Sequence, residues 1–373
     1  MVESKACQVL VNEVIRKGLC TFCGACVGMC PYLVAHNGRV ILKDTCNLPQ
    51  GRCTTYCPRI SIDLDKINRT IFGVPYTQNV LGTVKGVFMA RPADADVKAK
   101  AQDSGIVTTL IHFAMDKGLI DSAILTLFED KSLPKGVMVS TKDEILACAG
   151  SSYMATTTLE AFNREAQDND RKKIGLVGTP CQVLALARMK GSTLEERNNI
   201  DKLELVIGLF CTWALSCPGF AHFLEREVPG RIIKYDIPPH PANVLHTYTE
   251  NGKIDIPLDK ITPFIMPACR LCYDMTAEFA DISVGSGRGE VLEWNTIIVR
   301  TERGMKLFDD AKNKGLIDVR DIPRQNLSRL EEASYNKKKR ALKNIVQRTG
   351  TIEDLLYLKL QPETIKQFLK ELE

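Results

Sequence analysis

From residue 80 onward the chain alternates between two hydrophobic textures. Short runs of β-branched and other apolar residues predict strands at 80-VLGTVKGVFMAR-91, 122-SAILTLF-128, 174-IGLVG-178, 205-LVIGLF-210 and 296-TIIVR-300. Between them, apolar positions recur every three or four residues, the period of a helix with one buried face. These stretches are 106-IVTTLIHFAMDKGL-119, 156-TTTLEAFNREA-166, 181-CQVLALARMK-190, 218-PGFAHFLEREV-228 and 303-RGMKLFDDAKNKG-315. Strands alternating with helices predict an α/β core. A second group, 231-RIIKYDI-237, 244-VLHTYTENGKIDIPL-258 with its Asn-Gly turn, and 281-DISVGS-286, predicts an antiparallel α+β insertion. From Leu327 the pattern is helical, through 337-KKKRALKNIVQR-348 and 353-EDLLYLKLQPETIKQFLKEL-372, with a break at Pro362.

The first 60 residues read differently. An amphipathic stretch, 1-MVESKACQVLVNEVIRKGL-19, leads into a cysteine-rich segment that twice ends a cysteine run in Cys-Pro. The organisation expected is therefore a cysteine-rich segment over 1–60, a connector over 61–79, an α/β core over 80–325 and a helical extension over 326–373.

Composition narrows the function classes. The chain has 373 residues, a net charge of +4, 45% hydrophobic and 25% charged residues. That balance is too mild to argue for nucleic acid, and no apolar run is long and uncharged enough to predict a membrane span. The N-terminus lacks a secretory pattern, so a cytoplasmic protein is expected. Fourteen cysteines then need another reason, since a reducing cytosol does not favour a disulfide framework. Seven of them fall between Cys20 and Cys57, which points to metal.

In 20-CTFCGACVGMCP-31 the spacing is C-x2-C-x2-C-x3-C-P. Three closely spaced thiolates of this kind wrap one face of an iron–sulfur cubane, and the fourth is directed to a second cluster. Structural zinc more often takes paired C-x2-C units across a longer gap. By the same crossed pattern Cys20, Cys23 and Cys26 take Cys57 as fourth ligand. The second group then holds only Cys30, Cys46 and Cys53, because 44-DTCNLPQGRCTTYCPRI-60 is C-x6-C-x3-C-P, with its middle cysteine missing. Either three thiolates hold this cluster, or a donor comes from elsewhere. Cys7, Cys148 and Cys217 are the thiols left for that role, against the plainer reading of buried small hydrophobes.

Cys181 and Cys211 follow two of the strand-like runs, and Cys269 and Cys272 form a C-x2-C pair in 267-PACRLC-272. Cysteines at strand C-termini can converge at one edge of an α/β sheet, but two core cysteines and a separate redox pair would look the same. In 102-QDSGIVTTL-110 a Ser-Gly precedes an apolar helix, whose free N–H groups suit a phosphate or simply an ordinary cap. The stretches 148-CAGSSY-153 and 284-VGSGRGE-290 offer similar small-residue approaches. Walker and G-x-G-x-x-G signatures are missing, and the five histidines form no hydrolytic pattern. The run Lys337 to Arg340 reads as a solvated helix face, or as a docking patch for an acidic partner.

Taken together, Q-D-S-G-I-V-T (102–108), G-S-S-Y (150–153), G-T-P-C-Q (178–182), I-G-L-F-C (207–211), C-R-L-C-Y-D (269–274), F-A-D-I-S-V-G-S (279–286) and W-N-T-I-I-V-R-T (294–301) resemble the family of β-subunits of coenzyme F420-reducing hydrogenases. The resemblance covers about Val80 to Arg348. The N-terminal segment resembles that of F420H2-oxidising members, the input subunit of F420H2 dehydrogenase and the corresponding half of F420-dependent sulfite reductase. It implies a flavoprotein core with FAD against Gln102, Ser104, Gly105, Ile106, Val107, Thr108, Gly150, Ser151, Ser152, Thr179, Gly285 and Ser286. It also implies a [4Fe–4S] cluster on Cys181, Cys211, Cys269 and Cys272, besides the ferredoxin-like N-terminal clusters, for two to three in all. Its substrate would be F420 and its partner a larger redox complex, to which it attaches in the cytoplasm or peripherally at a membrane. The chain departs from the family where Gly-Thr-Lys-Tyr becomes Gly150-Ser151-Ser152-Tyr153, across 285-GSGRGEVLEW-294, and at 241-PANVLH-246. A hydride partner other than F420 is the alternative those departures raise.

Overall fold

The computed structural model describes residues 5–94, 97, 104–168, 170, 172–194, 199–238, 242–287 and 294–369. Gln102, residues 288–293 of 285-GSGRGEVLEW-294 and the first residue of 241-PANVLH-246 lie outside the described residues.

All five predicted strands and all five predicted core helices form. The strands are β1 (Leu33–His36), β2 (Arg39–Leu42), β3 (Ile62–Asp63), β4 (Gly86–Pro92), β5 (Ser122–Leu127), β6 (Lys135–Val139), β7 (Ile174–Gly178), β8 (Leu203–Leu209), β9 (Ile232–Asp236), β10 (Val244–Thr249), β11 (Gly252–Pro257), β12 (Ile282–Ser286), β13 (Asn295–Val299), β14 (Ile317–Asp321) and β15 (Leu358–Lys359). Eight of them make one mixed sheet in the order β14-β4-β13-β12-β8-β7-β5-β6. Its centre is parallel, with β12, β8, β7 and β5 running together, and its flanks are antiparallel.

The parallel centre is buried on both faces, which is why its strands are nearly continuous apolar runs. One face carries Val177, Leu205 and Ile207 against the helices Ile106–Asp116 and Glu302–Asn313. The other carries Leu176 and Val206 into a core shared with the helices Thr158–Glu165 and Pro180–Lys190. Phe22, Cys23, Tyr56 and Cys57 belong to that same core, so the cysteine-rich segment packs on the sheet's second face.

Three expectations need correction. The piece at 281–286 is no part of the insertion: it is β12, parallel to β8 in the main sheet, and only β9, β10 and β11 form the separate three-stranded sheet. Asp281 explains the capture, because its carboxylate accepts from Val206 N at 2.8 Å and anchors β12 beside β8. Pro362 starts the helix Pro362–Leu369 rather than breaking a longer one, a position where a missing N–H costs nothing. Before it, β15 pairs with β3 and brings Tyr357 under the cysteine segment. Finally, Lys337 and Lys338 are not solvated. They are 3% and 1% exposed, on the inner face of the helix Arg324–Thr349, while Arg340 is exposed.

Candidate functional site

Three groups of cysteines lie along the sheet's second face. The innermost is built at the C-terminal ends of two parallel strands. Cys181 opens the helix after β7, where Thr179 Oγ1 is 3.3 Å from its sulfur. Cys211 follows β8 and is fixed by its N–H to Met275 O at 2.8 Å. Cys269 and Cys272 come from the short helix Pro267–Arg270 and its end, and Ala214 N donates to Cys269 Sγ at 3.4 Å. Burial pushes Cys269 up to about 11, and the neighbouring Cys272 and Cys181 add to it. Cys211 is also raised by burial, and it feels Cys269, Cys181 and Cys272. The four sulfurs are thus one another's electrostatic neighbours.

Two cations face this group. The Lys337 ammonium donates to Cys211 O. Arg59, 4% exposed, donates from Nη2 to Ala268 O at 3.5 Å, while its buried Nε has no partner among the described residues. Burial works against Cys272 ionising, yet the charges of Lys337 and Arg59 bring it below the ordinary thiol value. Four thiols beside two buried cations, one of which keeps a buried N–H without a partner among the described residues, fit an anionic [4Fe–4S] cluster, whose sulfurs accept hydrogen bonds.

The second group is the one the crossed pattern predicts. Cys20, Cys23, Cys26 and Cys57 line one cavity with Arg59. Burial raises Cys57 to about 12. Cys23 rises by burial too, and it feels Cys181 as well as Cys57 and Cys20, so this group adjoins the first. Its loop is held by one side chain: Asn163 Nδ2 donates to Gly24 O, Ala25 O and Val27 O at 3.1, 3.3 and 2.6 Å. Gly24 has φ +87°, and a Cβ there would stand 2.7 Å from Glu160 N. Only glycine lets the cysteine loop dock on the helix Thr158–Glu165.

The third group holds Cys30, Cys46 and Cys53. Burial raises Cys53 to about 12, and Cys30, Cys46 and Cys7 add to the shift in that order. Cys26 feels Cys53 in turn, which links this group to the second. Cys148 and Cys217 belong to other apolar cores. Cys217 is buried with its thiol 3.8 Å from Met154 Sδ, and Cys148 faces Glu144 and Glu129. Among the described residues no three His, Cys, Asp or Glu side chains crowd closely enough for a single metal ion.

The predicted flavin residues also meet in part. Gly105, at φ +94°, ends the approach to the helix Ile106–Asp116. Asn295 of β13 ties three of these elements together: its Oδ1 accepts from Ser104 Oγ and from Ile106 N at 3.4 Å, and its Nδ2 donates to Gly285 O at 3.1 Å. Val107 and Thr108 occupy the first turn, where amides have no intrahelical acceptor. Ser286 O accepts from Thr296 Oγ1 at 3.4 Å. Gly150 has open space around it at φ +114°, Ser151 is half-buried, and Ser152 Oγ is turned to its own chain, accepting from Met154 N at 3.4 Å. Thr179 stands beside Cys181, at the edge of the inner cysteine group. Asn163 lies in no motif, and although Arg59, Lys337 and Asn295 fall in stretches already singled out, no spacing assigns them these contacts.

Comparison with known proteins gives the family. Two family models, for the N-terminal and C-terminal parts of the "Coenzyme F420 hydrogenase/dehydrogenase, beta subunit", match residues 87–163 and 171–325 respectively. The chain belongs to this family. Residues 13–34 additionally match a 4Fe-4S binding domain. The beta subunit of the coenzyme F420 hydrogenase of Methanothermobacter thermautotrophicus is 28% identical over 72% of this chain and 96% of its own length. The F subunit of the F(420)H(2) dehydrogenase of Methanosarcina mazei is 27% identical over 85% of this chain and 88% of its own. The coenzyme F420-dependent sulfite reductase of Methanocaldococcus jannaschii is 27% identical over 84% of this chain, which spans 49% of that longer protein. Among solved structures, a chain of the F420-reducing [NiFe] hydrogenase complex from Methanosarcina barkeri superposes with a TM-score of 0.67 at 26% identity, over 74% of this chain and 96% of that one. These named relatives are F420-dependent oxidoreductases or their subunits. Among the described residues no helix is long and apolar enough to cross a membrane.

Proposed function

We propose that this chain exchanges a hydride between coenzyme F420 and a bound FAD, and passes single electrons through [4Fe–4S] clusters to a larger redox complex in the cytoplasm or peripheral to a membrane. The observation that carries the reading is the unbroken succession of cysteine groups. It runs from Cys181, Cys211, Cys269 and Cys272 at the sheet edge, through Cys20, Cys23, Cys26 and Cys57, to Cys30, Cys46 and Cys53.

FAD, when bound, supplies the conversion between a two-electron hydride and single electrons, which neither F420 nor a cluster makes alone. The chain's own residues bind and orient it. The amides of Val107 and Thr108 at a helix N-terminus suit a phosphate, and Asn295 holds Ser104, Ile106 and Gly285 in place around them. Arg59 and Lys337 offset the negative charge that four thiolates bring into a buried site.

The test is anaerobic purification of the full chain, followed by flavin, iron and acid-labile sulfide analysis and an assay of F420H2 oxidation with an artificial dye. Bound flavin, labile sulfide and dye reduction support the reading. Zinc in a colourless protein would sink it. Flavin and sulfide without turnover would favour a different hydride donor, a second reading that rests on Ser152: it stands where the family resemblance implies a lysine, and its hydroxyl is used by its own backbone.

A further inference from the structure

We propose that Cys7 is the fourth protein ligand of a cluster held by Cys30, Cys46 and Cys53, so the missing cysteine of the second half-motif is supplied from the N-terminal helix. The inference rests on the iron–sulfur reading of residues 1–60 and goes beyond it in naming the ligand.

Three thiols remain after the eleven of the predicted groups are assigned, and the structure places them very differently. Cys7 sits on the helix Ala6–Leu10, 2% exposed, with its sulfur 3.4 Å from Cys46 N and 3.6 Å from Cys46 O. The helix is pinned there from both sides. Ala6 N donates to Leu48 O at 2.9 Å, two residues past Cys46. Gly51 completes the approach: a Cβ on it would stand 3.3 Å from Ala6 Cβ and 3.5 Å from Cys53 Sγ, so the helix and the Cys53 sulfur meet across the same glycine. Cys7 also adds its charge to those of Cys30 and Cys46 on Cys53. Cys217, by contrast, is packed among Phe220, Leu224 and Met154 in a different apolar core, and Cys148 lies at the end of the helix Lys142–Ala147.

The chemistry of the contact suits a ligand. On binding iron the Cys7 thiol gives up its proton, and with it the donation to Cys46 O. The Cys46 N–H then remains as a donor to the Cys7 sulfur, the kind of hydrogen bond that stabilises a metal-bound thiolate. The other partner on that side is apolar, since Ala6 and Leu10 bury this face of the helix. A free thiol packed as a small hydrophobe needs no cysteine neighbours. Cys7 has three.

The experiment compares full-length wild-type chain with Cys7→Ala, Cys7→Ser, Cys30→Ala, Cys148→Ala and Cys217→Ala, each reconstituted anaerobically. Iron and labile sulfide per chain are counted, and electron paramagnetic resonance spectra are taken of the oxidised and reduced protein. Expected is a loss of roughly one to four irons from Cys7→Ala, with either a three-iron signal on oxidation or the loss of one reduced-cluster signal. Cys148→Ala and Cys217→Ala should match wild type. Retention of the signal from the cluster on Cys20, Cys23, Cys26 and Cys57 shows that the segment has folded, and Cys7→Ser guards against a packing defect. If Cys7→Ala keeps the wild-type iron and spectra while Cys30→Ala loses iron, the ligand assignment is wrong and the cluster reading stands. If Cys30→Ala also keeps both, the second N-terminal cluster does not exist and the assignment falls with it.

Discussion

The guanidinium carbon of Arg59, two residues past Cys57, lies 4.2 Å over the ring of Tyr357, which directly precedes β15. That stack holds a buried cation where two cysteine groups meet, because Arg59 lines both the cavity with Cys20, Cys23, Cys26 and Cys57 and the cavity with Cys181 and Cys272. Its own pKa is raised: burial opposes the charge, but Tyr357 and Cys272 more than compensate.

Reducing a cluster adds negative charge, so a nearby cation raises its reduction potential. Arg59→Met should therefore lower the potentials of the clusters proposed on both adjoining cysteine groups. A unit charge in an effective dielectric of about 20 contributes on the order of 1–2 kcal/mol at such range, or roughly 40–90 mV for one electron. Redox titration followed by electron paramagnetic resonance measures it. Unchanged potentials in a fully loaded Arg59→Met protein would remove Arg59 from its tuning role.

Much of this site was legible as spacing. The C-x2-C-x2-C-x3-C-P run requires only local chain to wrap a cluster, and the crossed assignment of Cys57 follows from chain geometry shared by such motifs. The strand and helix periods placed Cys181 and Cys211 at strand ends, where a parallel sheet gathers its ligands. What spacing misses are partners brought in by tertiary packing. Lys337 and Lys338 look solvated in a Lys-Lys-Lys-Arg run, because the sequence does not say which face of the long helix Arg324–Thr349 is turned inward. Asn163 is one asparagine in a helix until three carbonyls of the cysteine loop are found on it. β12 reads as an insertion strand because its partner β8 is some 70 residues earlier in the chain.

Gly24 tests the docking of the cysteine loop. In Gly24→Ala the new Cβ would meet backbone atoms, Glu160 N at 2.7 Å and Thr157 O at 2.8 Å, which cannot rotate away as a side chain can. The left-handed φ alone costs about 1–2 kcal/mol, and the clash adds to it. Gly73→Ala is the matched control, since φ there is +73° with open space around it. Iron and sulfide content should fall in Gly24→Ala and hold in Gly73→Ala. Equal retention would mean the loop does not need its seat on the helix Thr158–Glu165.

Lys338 and Glu278 form an ion pair with side chains only 1% and 3% exposed. Tyr76 donates to the same carboxylate at 2.6 Å, and the ammonium lies 4.1 Å over the Tyr273 ring. Burial raises the Glu278 pKa even with Lys338 beside it. Lys338→Met leaves that carboxyl unpaired, a change worth about 3–5 kcal/mol. A carboxyl whose folded-state pKa is raised favours the folded state in its protonated form, and that contribution is lost as pH rises above the unfolded value. The deficit should accordingly be larger near pH 8 than near pH 5, read by anaerobic thermal unfolding. Lys338→Met with Glu278→Gln should recover part of it; a deficit independent of pH would show that Glu278 is not the group responsible.

On the proposed function, Asn295 is the residue that separates flavin binding from the cysteine groups. Its amide accepts from Ser104 and Ile106 and donates to Gly285, so it fixes the start of the helix Ile106–Asp116 against the end of β12. In Asn295→Leu the shape is nearly kept, but Ser104 and Ile106 lose their acceptor in a buried setting. Each unsatisfied group costs about 1–3 kcal/mol, part of which is recovered when the helix end loosens. Flavin affinity should then drop roughly 10- to 100-fold, since 1.4 kcal/mol is a factor of ten. Asn295→Asp keeps the acceptor and loses the donor to Gly285. It also sets a negative charge beside amides that suit a phosphate, so its loss of affinity should ease as salt is raised, while that of Asn295→Leu should not. Both variants should retain iron and sulfide, because no cysteine touches this network. Flavin bound at wild-type strength by both would place the flavin away from Ser104, Gly105 and Ile106.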